Sequence, residues 1–261
     1  AKYNIIIDTE TTGLPKSRGY GHTPNYTELN KYEDCRLVQI AWIICDNEGD
    51  IKSQKSFLIK PNGFVIPDSA TKIHKITNND AENKGIPFEL MVAELSESIK
   101  YWKPTKIVSH NLKFDINVLL SELHRNNYQT MIEVINCMRG VCTMETGKPL
   151  CNIICNNRRG EYVKFPSLPE LYKYLFEVDM EVKHEALYDT QKCLECYIEL
   201  RKRIKKNQWP TKRYKREHLQ SHEQNKQHSD LYKKNLEIKE LRDKLSKLKI
   251  PQNPHFYFYY A

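Results

Sequence analysis

No apolar run in the 261-residue chain approaches the roughly 18 residues needed to cross a bilayer. There is also no charged-then-apolar leader. We therefore expect neither a membrane span nor a secretory signal, and an intracellular setting: cytoplasm, nucleus or a viral replication site. Paired zinc-ligand spacing of the usual kind is missing too. The eight cysteines include Cys151 and Cys155, spaced CxxxC, and Cys193 and Cys196, spaced CxxC. The second pair falls in a helical pattern, where positions i and i+3 share a face. Without a secretory context disulfides have no support. Reduced thiols are expected, with zinc at a cysteine pair as the alternative.

An even spread of charge is also absent. From Arg201 onward there are 17 Lys+Arg and 6 Asp+Glu, against 24 and 27 before it, within a net charge of +8. A mildly acidic body thus carries a basic tail, which suggests a polyanion partner or else a solubilising extension. Apolar content of 39% is ordinary, enough for one full domain with a core plus something smaller.

The element pattern is mixed. "YNIIID" reads as a buried, very apolar central strand, "RLVQIAWIICD" (36–46) as a second, and "GDIKSQKSFLIKP" (49–61) as a third after a hairpin turn. The polar stretch between the first two, rich in Gly, Pro and Asn, reads as irregular. Short helix-turn material at "PDSATKIHKITNNDAENKG" precedes a helical stripe of Leu90, Met91, Leu95 and Ile99. "KIVSHN" is a short buried strand, and "DINVLLSELHRNN" is a helix with Ile116, Leu119, Leu120 and Leu123 on one face. "LCNIICNNRRGEYVKF" reads as a hairpin with a basic, glycine-containing turn. "SLPELYKYLF" is a helix opened by a serine cap and a proline, and "EALYDTQKCLECYIELRKRIKK" a long closing helix. The order implies an α/β domain with a mixed sheet, antiparallel in its first three strands, flanked by helices. It spans 1–205, followed by a basic extension, 206–261, with an amphipathic helix at about 230–250 and an aromatic tail.

Within the first strand, Asp8 and Glu10 have no cation beside them in sequence. At i and i+2 they point to one face. Two carboxylates that close repel unless a cation lies between them. At an accessible strand end beside a glycine turn, a divalent metal with oxygen ligands answers the need. Two more acids extend the set. Asp115 lies in the otherwise apolar helical run of "SHNLKFDINVLL", and Asp189 lies one turn into the last helix, with His184 just before that helix. Acids at apolar helix positions are costly unless paired or metal-bound.

"DTETTGL", "HNLKFD" and "HEALYD", in that order, resemble the three exonuclease motifs of the DEDD superfamily, histidine subclass, which holds the epsilon-type proofreading 3′→5′ exonucleases. Glu10, Asp115 and Asp189 stand 105 and 74 residues apart. "IPDSATKIHKIT" resembles the family's nucleotide-side segment A-x-x-I-H-G-I-T, with Lys75 where glycine is usual. The tyrosine subclass would place Tyr at Glu185, whereas His184 takes the histidine-subclass position. The resemblance covers residues 2 to about 203. It implies a ribonuclease H-like fold and a two-metal mechanism with Mg²⁺ or Mn²⁺. Asp8 would bridge both cations, Glu10, Asp115 and Asp189 would complete the ligand sets, and His184 would be the general base, since imidazole titrates near neutrality. Thr11, Thr12, Gly13 and Leu14 would meet the terminal nucleotide, Leu14 as a wedge beside the last base. His74 and Asn111 would line the strand's path. A plain loop role is the alternative for each of these substrate contacts.

The implied reaction releases nucleoside 5′-monophosphates from a DNA 3′ end, single-stranded or frayed. A 3′→5′ exoribonuclease of the same superfamily and a non-catalytic nucleic-acid-binding scaffold are the alternatives. "QNPHFYFY", Gln252 to Tyr259, resembles a sliding-clamp-binding peptide with His255 where an aliphatic residue is usual; an aromatic tail packed on its own surface is the other reading. A polymerase or a sliding clamp is thus an expected partner of the tail. Basic residues from Lys202 to Arg216, with Trp209 and Tyr214 among them, are alternatively a guide for DNA.

Overall fold

A computed structural model describes residues 2–17, 19 and 22–206 of the chain. The expected amphipathic helix at 230–250, the aromatic tail and the clamp-like peptide lie outside the described residues. The central element is β1 (Asn4–Thr11), the third strand of a five-stranded sheet. Beside it lies β2 (Leu37–Cys45), antiparallel, and beyond that β3 (Ile51–Leu58), also antiparallel. On its other side β4 (Lys106–Ser109) runs parallel to it and β5 (Arg139–Cys142) parallel to β4. The order β3-β2-β1-β4-β5 makes the mixed sheet that the sequence pattern implies.

Continuous apolarity in β1 follows from burial on both faces. Ile5 and Ile7 enter one core with Trp42 and the apolar faces of α3 (Phe88–Trp102), α4 (Leu112–Arg125) and α5 (Gln129–Asn136). Ile6 enters a second core with Ile43, Val108, α7 (Leu168–Phe176) and α8 (Ala186–Lys205). Each fully buried isoleucine contributes about 1.5–3 kcal/mol, so β1 anchors both layers. Cys193 and Cys196 lie in the second core. Burial pushes the Cys196 thiol up to about 12. The CxxC spacing is thus a packing face of α8.

Local signals place the helices. Ser167 accepts from the Glu170 N–H while the Glu170 carboxylate accepts from the Ser167 N–H at 2.8 Å, a complete capping box with a proline in the first turn. The expected third strand, 49–61, is trimmed at its start. Asp46 accepts from the N–H groups of Glu48, Gly49 and Asp50 at 2.9–3.0 Å and closes a turn through Asp50. α1 (Asp68–His74) and α2 (Asn78–Lys84) account for the short helix-turn stretch. Lys75, where the related pattern has glycine, caps α1 at φ 64°, a left-handed conformation that glycine adopts without strain.

Residues 128–149, where the sequence pattern assigns no element, carry α5, β5 and most of α6 (Thr143–Cys151). β5 is short and half exposed, and α6 contains Gly147 and Pro149, so neither has a clear period. β6 (Ile154–Asn157) and β7 (Gly160–Val163) form the expected hairpin. Among the described residues no helix is long and apolar enough to cross a membrane.

Candidate active site

Asp8 and Glu10 share the parity of Ile6, so both project from the β1 face covered by α7 and α8. Glu10 is register partner to Gln39 on β2. The Gln39 side-chain carbonyl accepts from the Ala186 N–H at 3.1 Å, the first residue of α8. That bond ties the helix start to the strand end, and Asp189 follows in the first turn. His184, at φ 50°, precedes the helix. Glu10, His184 and Asp189 each present a ligand atom within 4.8 Å of the others.

Asp115 arrives from the opposite side, in the first turn of α4, and is only 2% exposed. One carboxylate oxygen accepts from the Thr9 N–H at 3.1 Å and the Thr9 hydroxyl at 2.7 Å. The other accepts from the Ser109 hydroxyl. Thr9 lies on β1 between Asp8 and Glu10, and Ser109 ends β4. These two hydroxyls therefore hold the α4 acid against the two strands at its base. Neither was among the sequence candidates; the signals available were Thr9 between the two strand acids and Ser109 at the end of the short buried strand, six residues before Asp115.

Electrostatics mark the cluster. Burial, then Asp115, Glu10 and Asp189, push the Asp8 carboxyl well above the ordinary range. Burial and the Asp189 and Asp115 charges raise Glu10 to about 8. Burial raises Asp115 to about 7 against the opposing Ser109 and Thr9 hydrogen bonds. Asp189 rises to about 6, again by burial first, with His184 opposing. Among the described residues no Lys or Arg forms an ion pair with any of the four. Four repelling acids without a protein cation fit a hard divalent ion with oxygen ligands. The structure brings His184 as close to Glu10 and Asp189 as a ligand would stand.

The site opens into a cleft of about 740 Å³ whose walls include Asp8, Leu14, Asn111, Phe114, His184 and Asp189. Leu14 is 77% exposed there. Asn111, at φ 74°, opens α4. Thr11, Thr12 and Gly13 form the turn leading to Leu14 and are not among the cleft walls. Thr11 donates to the Gly13 carbonyl at 2.8 Å. The buried Thr12 hydroxyl donates to the Asp34 carbonyl at 2.9 Å and accepts from the Arg36 N–H at 2.8 Å. A Cβ at Gly13 would meet the Asp34 carbonyl oxygen at 2.8 Å. His74 is buried: its Nδ1 accepts from the Ile76 N–H at 3.1 Å, and its Nε2 has no hydrogen-bond partner among the described residues. Burial lowers its pKa, and the His184 charge acts on it in the same direction. Phe165, Lys164 and Lys113 also line the cleft and carried no sequence signal of their own.

His110 holds one wall in place. Its Nδ1 lies 2.9 Å from the Thr143 hydroxyl and its Nε2 3.0 Å from the Pro166 carbonyl. Burial lowers its pKa to about 4. It is therefore a neutral imidazole, and since a carbonyl only accepts, Nε2 carries the proton and Nδ1 accepts from the threonine.

Comparison with known proteins places this geometry. The family model RNase_T, described as "Exonuclease", matches residues 5–197. The chain is 33% identical over 117 residues to DNA polymerase III subunit epsilon of Treponema pallidum, covering 45% of this chain and 44% of that protein. It is 28% identical over 125 residues to the 3′-5′ exonuclease DinG of Bacillus subtilis, covering 48% of this chain and 11% of that protein. The fold is similar to that of E. coli exonuclease I in complex with a dT13 oligonucleotide. There the TM-score is 0.60 at 19% identity, covering 79% of this chain and 42% of that one. The matches thus span less than half the length of these relatives.

Proposed function

The chain belongs to the RNase_T exonuclease family, and on that premise we propose that it is a metal-dependent 3′→5′ exonuclease acting on DNA 3′ ends, single-stranded or mismatched. The observation that carries this reading is the convergence of Asp8, Glu10, Asp115 and Asp189 beside His184, with no Lys or Arg paired to them among the described residues. DNA as the substrate draws support from the relatives, one a DNA polymerase subunit and one solved with a deoxyoligonucleotide.

The carboxylates of Asp8, Glu10, Asp115 and Asp189 would hold two divalent cations, Mg²⁺ or Mn²⁺. Bound there, such ions supply Lewis-acid stabilisation of charge on the phosphoryl oxygens and lower the pKa of water. His184 accepts the proton from the water that attacks the terminal phosphorus. A P–O bond forms to that water, the bond to the 3′ oxygen breaks, that oxygen takes a proton from solvent to become the new 3′-hydroxyl, and a nucleoside 5′-monophosphate leaves. Its exposed position before α8 lets His184 pass the proton to solvent. Ser109 and Thr9 keep Asp115 oriented. Leu14 stands beside the last base, with the Thr11–Gly13 turn behind it and Asn111 across the cleft. His74, behind this turn, supports it.

We assign residues 1–205 to the catalytic domain and 206–261 to an extension that recruits a polymerase or a sliding clamp, inside the cell. The relationship to the epsilon subunit supports the polymerase part of this reading. The test is digestion of 5′-labelled oligonucleotides, DNA and RNA, with paired and mismatched 3′ ends and with Mg²⁺, Mn²⁺ or chelator. Stepwise shortening from the 3′ end of DNA, abolished by Asp8→Ala, is the expected result. Digestion that survives Asp8→Ala, or a preference for RNA, overturns it.

A further inference from the structure

Away from the carboxylates, at the opposite end of the sheet, the chain gathers cations. β4 begins with Lys106 and β5 with Arg139, and the two are register partners. Lys106 is also paired with Asn4, two residues after Lys2. α8 ends here: the Tyr197 hydroxyl donates to the Asn4 side chain at 3.4 Å, and Arg201 and Lys205 follow at one-turn intervals. Arg201 donates to the Asn47 backbone carbonyl at 2.6 Å rather than to a carboxylate. The nearby Asp46 is already held by Lys52 at 2.8 Å and by three backbone N–H groups. Among the described residues no carboxylate lies within ion-pair distance of Lys2, Lys106, Arg139, Arg201 or Lys205.

We propose that this ridge of five cations binds the phosphodiester backbone of the nucleic-acid strand whose 3′ end occupies the carboxylate site. The inference rests on the nucleic-acid reading of that site. Like charges placed so closely repel. Burial, then Arg201, Arg139, Lys2 and Lys205, push the Lys106 ammonium below its ordinary range. A polyanion relieves that repulsion and releases its own counterions as it binds. The ridge also leads in sequence into the basic segment, since 17 Lys+Arg lie from Arg201 onward. A surface of this sign is what a mildly acidic domain needs to hold a strand beyond its last nucleotides.

Reach sets the expected length dependence. From Asn4 to Glu10, β1 takes six residue-to-residue steps, or about 20 Å at roughly 3.3 Å each. At roughly 3.4 Å per stacked nucleotide that is about six nucleotides. Short substrates therefore occupy the carboxylate site alone, and longer ones reach the ridge.

The test compares the full chain with Arg139→Gln/Lys205→Gln, two exposed positions, and with Lys106→Gln on β4. Three substrates are used: the p-nitrophenyl ester of thymidine 5′-monophosphate, a single strand of about four nucleotides, and one of about twenty. On the first two, kcat/KM is expected to be unchanged. On the long strand, KM of the double variant should rise about tenfold at moderate salt, and the slope of log KM against log salt should fall by about 1.4, or 0.7 per phosphate contact. An unchanged KM and slope on the long strand overturns the proposal, as does an equal loss on all three substrates. If the unaltered chain cleaves none of them, the hydrolase reading fails by itself. The ridge is then read by fluorescence anisotropy of the labelled long strand. The same fall in affinity and slope supports the proposal there, and equal binding by variant and unaltered chain overturns it.

Discussion

Glu122→Ala should be among the most destabilising single changes in the domain. The Glu122 side chain is 5% exposed and its partner Arg36 11%. The pair is bidentate, Nε to Oε1 at 2.6 Å and Nη2 to Oε2 at 3.1 Å, and Oε1 also accepts from the Leu37 N–H at 3.2 Å. A second guanidinium, Arg125, stands 3.8 Å from Oε2. Removing the carboxylate leaves two partly buried cations facing each other and a backbone donor unpaired. Stranding one buried charge costs about 3–5 kcal/mol. At roughly 2–4 °C per kcal/mol for a domain of this size, Tm should fall by about 6–20 °C. The effect reaches the active site, because the Arg36 backbone is bonded in both directions to Thr12, at 2.8 and 2.9 Å, behind the turn that carries Leu14. Urea denaturation reads the loss, with Lys16→Ala as the control: its pair with Asp34 is 3.0 Å long but mostly exposed, and solvent screening leaves its removal with little effect on stability. Arg36→Met/Glu122→Met should recover part of the stability, since it removes one of the two stranded guanidiniums and fills the space with apolar side chains, while Arg125 and the Leu37 N–H still lose their carboxylate. A Glu122→Ala loss no larger than the control, or a double change as costly as the single one, refutes the argument.

Two further outcomes follow from the geometry. Glu10, Asp115 and Asp189, at about 8, 7 and 6, titrate above their unfolded values near 4. A raised acid contributes stability only while protonated, fully below its unfolded pKa, and loses it as pH climbs through the folded one. In chelator, Tm should fall between pH 5 and 8, and added Mg²⁺ should restore more at pH 8 than at pH 5; a metal-free Tm that rises across that window contradicts the cluster's electrostatics. At the C-terminus of α1, Lys75→Gly should stabilise the protein by about 1 kcal/mol, because the left-handed backbone at φ 64° is strained for any side chain; chemical denaturation showing a loss would mean that the lysine side chain contributes more than its backbone strain.

Much of the site was legible because its signals are local. Asp8 and Glu10 read as one face from a two-residue spacing, and Asp115 and Asp189 read as misplaced acids in apolar helical runs. The same locality gave the three-stranded antiparallel start, the capped α7 and the β6–β7 hairpin. It failed at 128–149, where Gly147, Pro149 and a short edge strand blur the period. It also could not orient the Thr11–Leu14 turn. Three consecutive residues divide there into an inward-facing Thr12, a close-packed Gly13 and an exposed Leu14, and the division depends on Asp34 and Arg36, 20 or more residues away.

The sequence by itself determined the candidates: which acids, which imidazole, and the strands and helices that carry them. Covalent spacing sets side-chain direction within an element, so those facts need no partner to be read. Only the tertiary structure decided what each group faces. It put the Thr9 and Ser109 hydroxyls on Asp115, left four carboxylates without a Lys or Arg partner among the described residues, and brought Lys106 beside Arg139 and the end of α8. Such meetings depend on sheet order and register, which are fixed by burying both faces of β1 at once, and no local stretch of the chain encodes that.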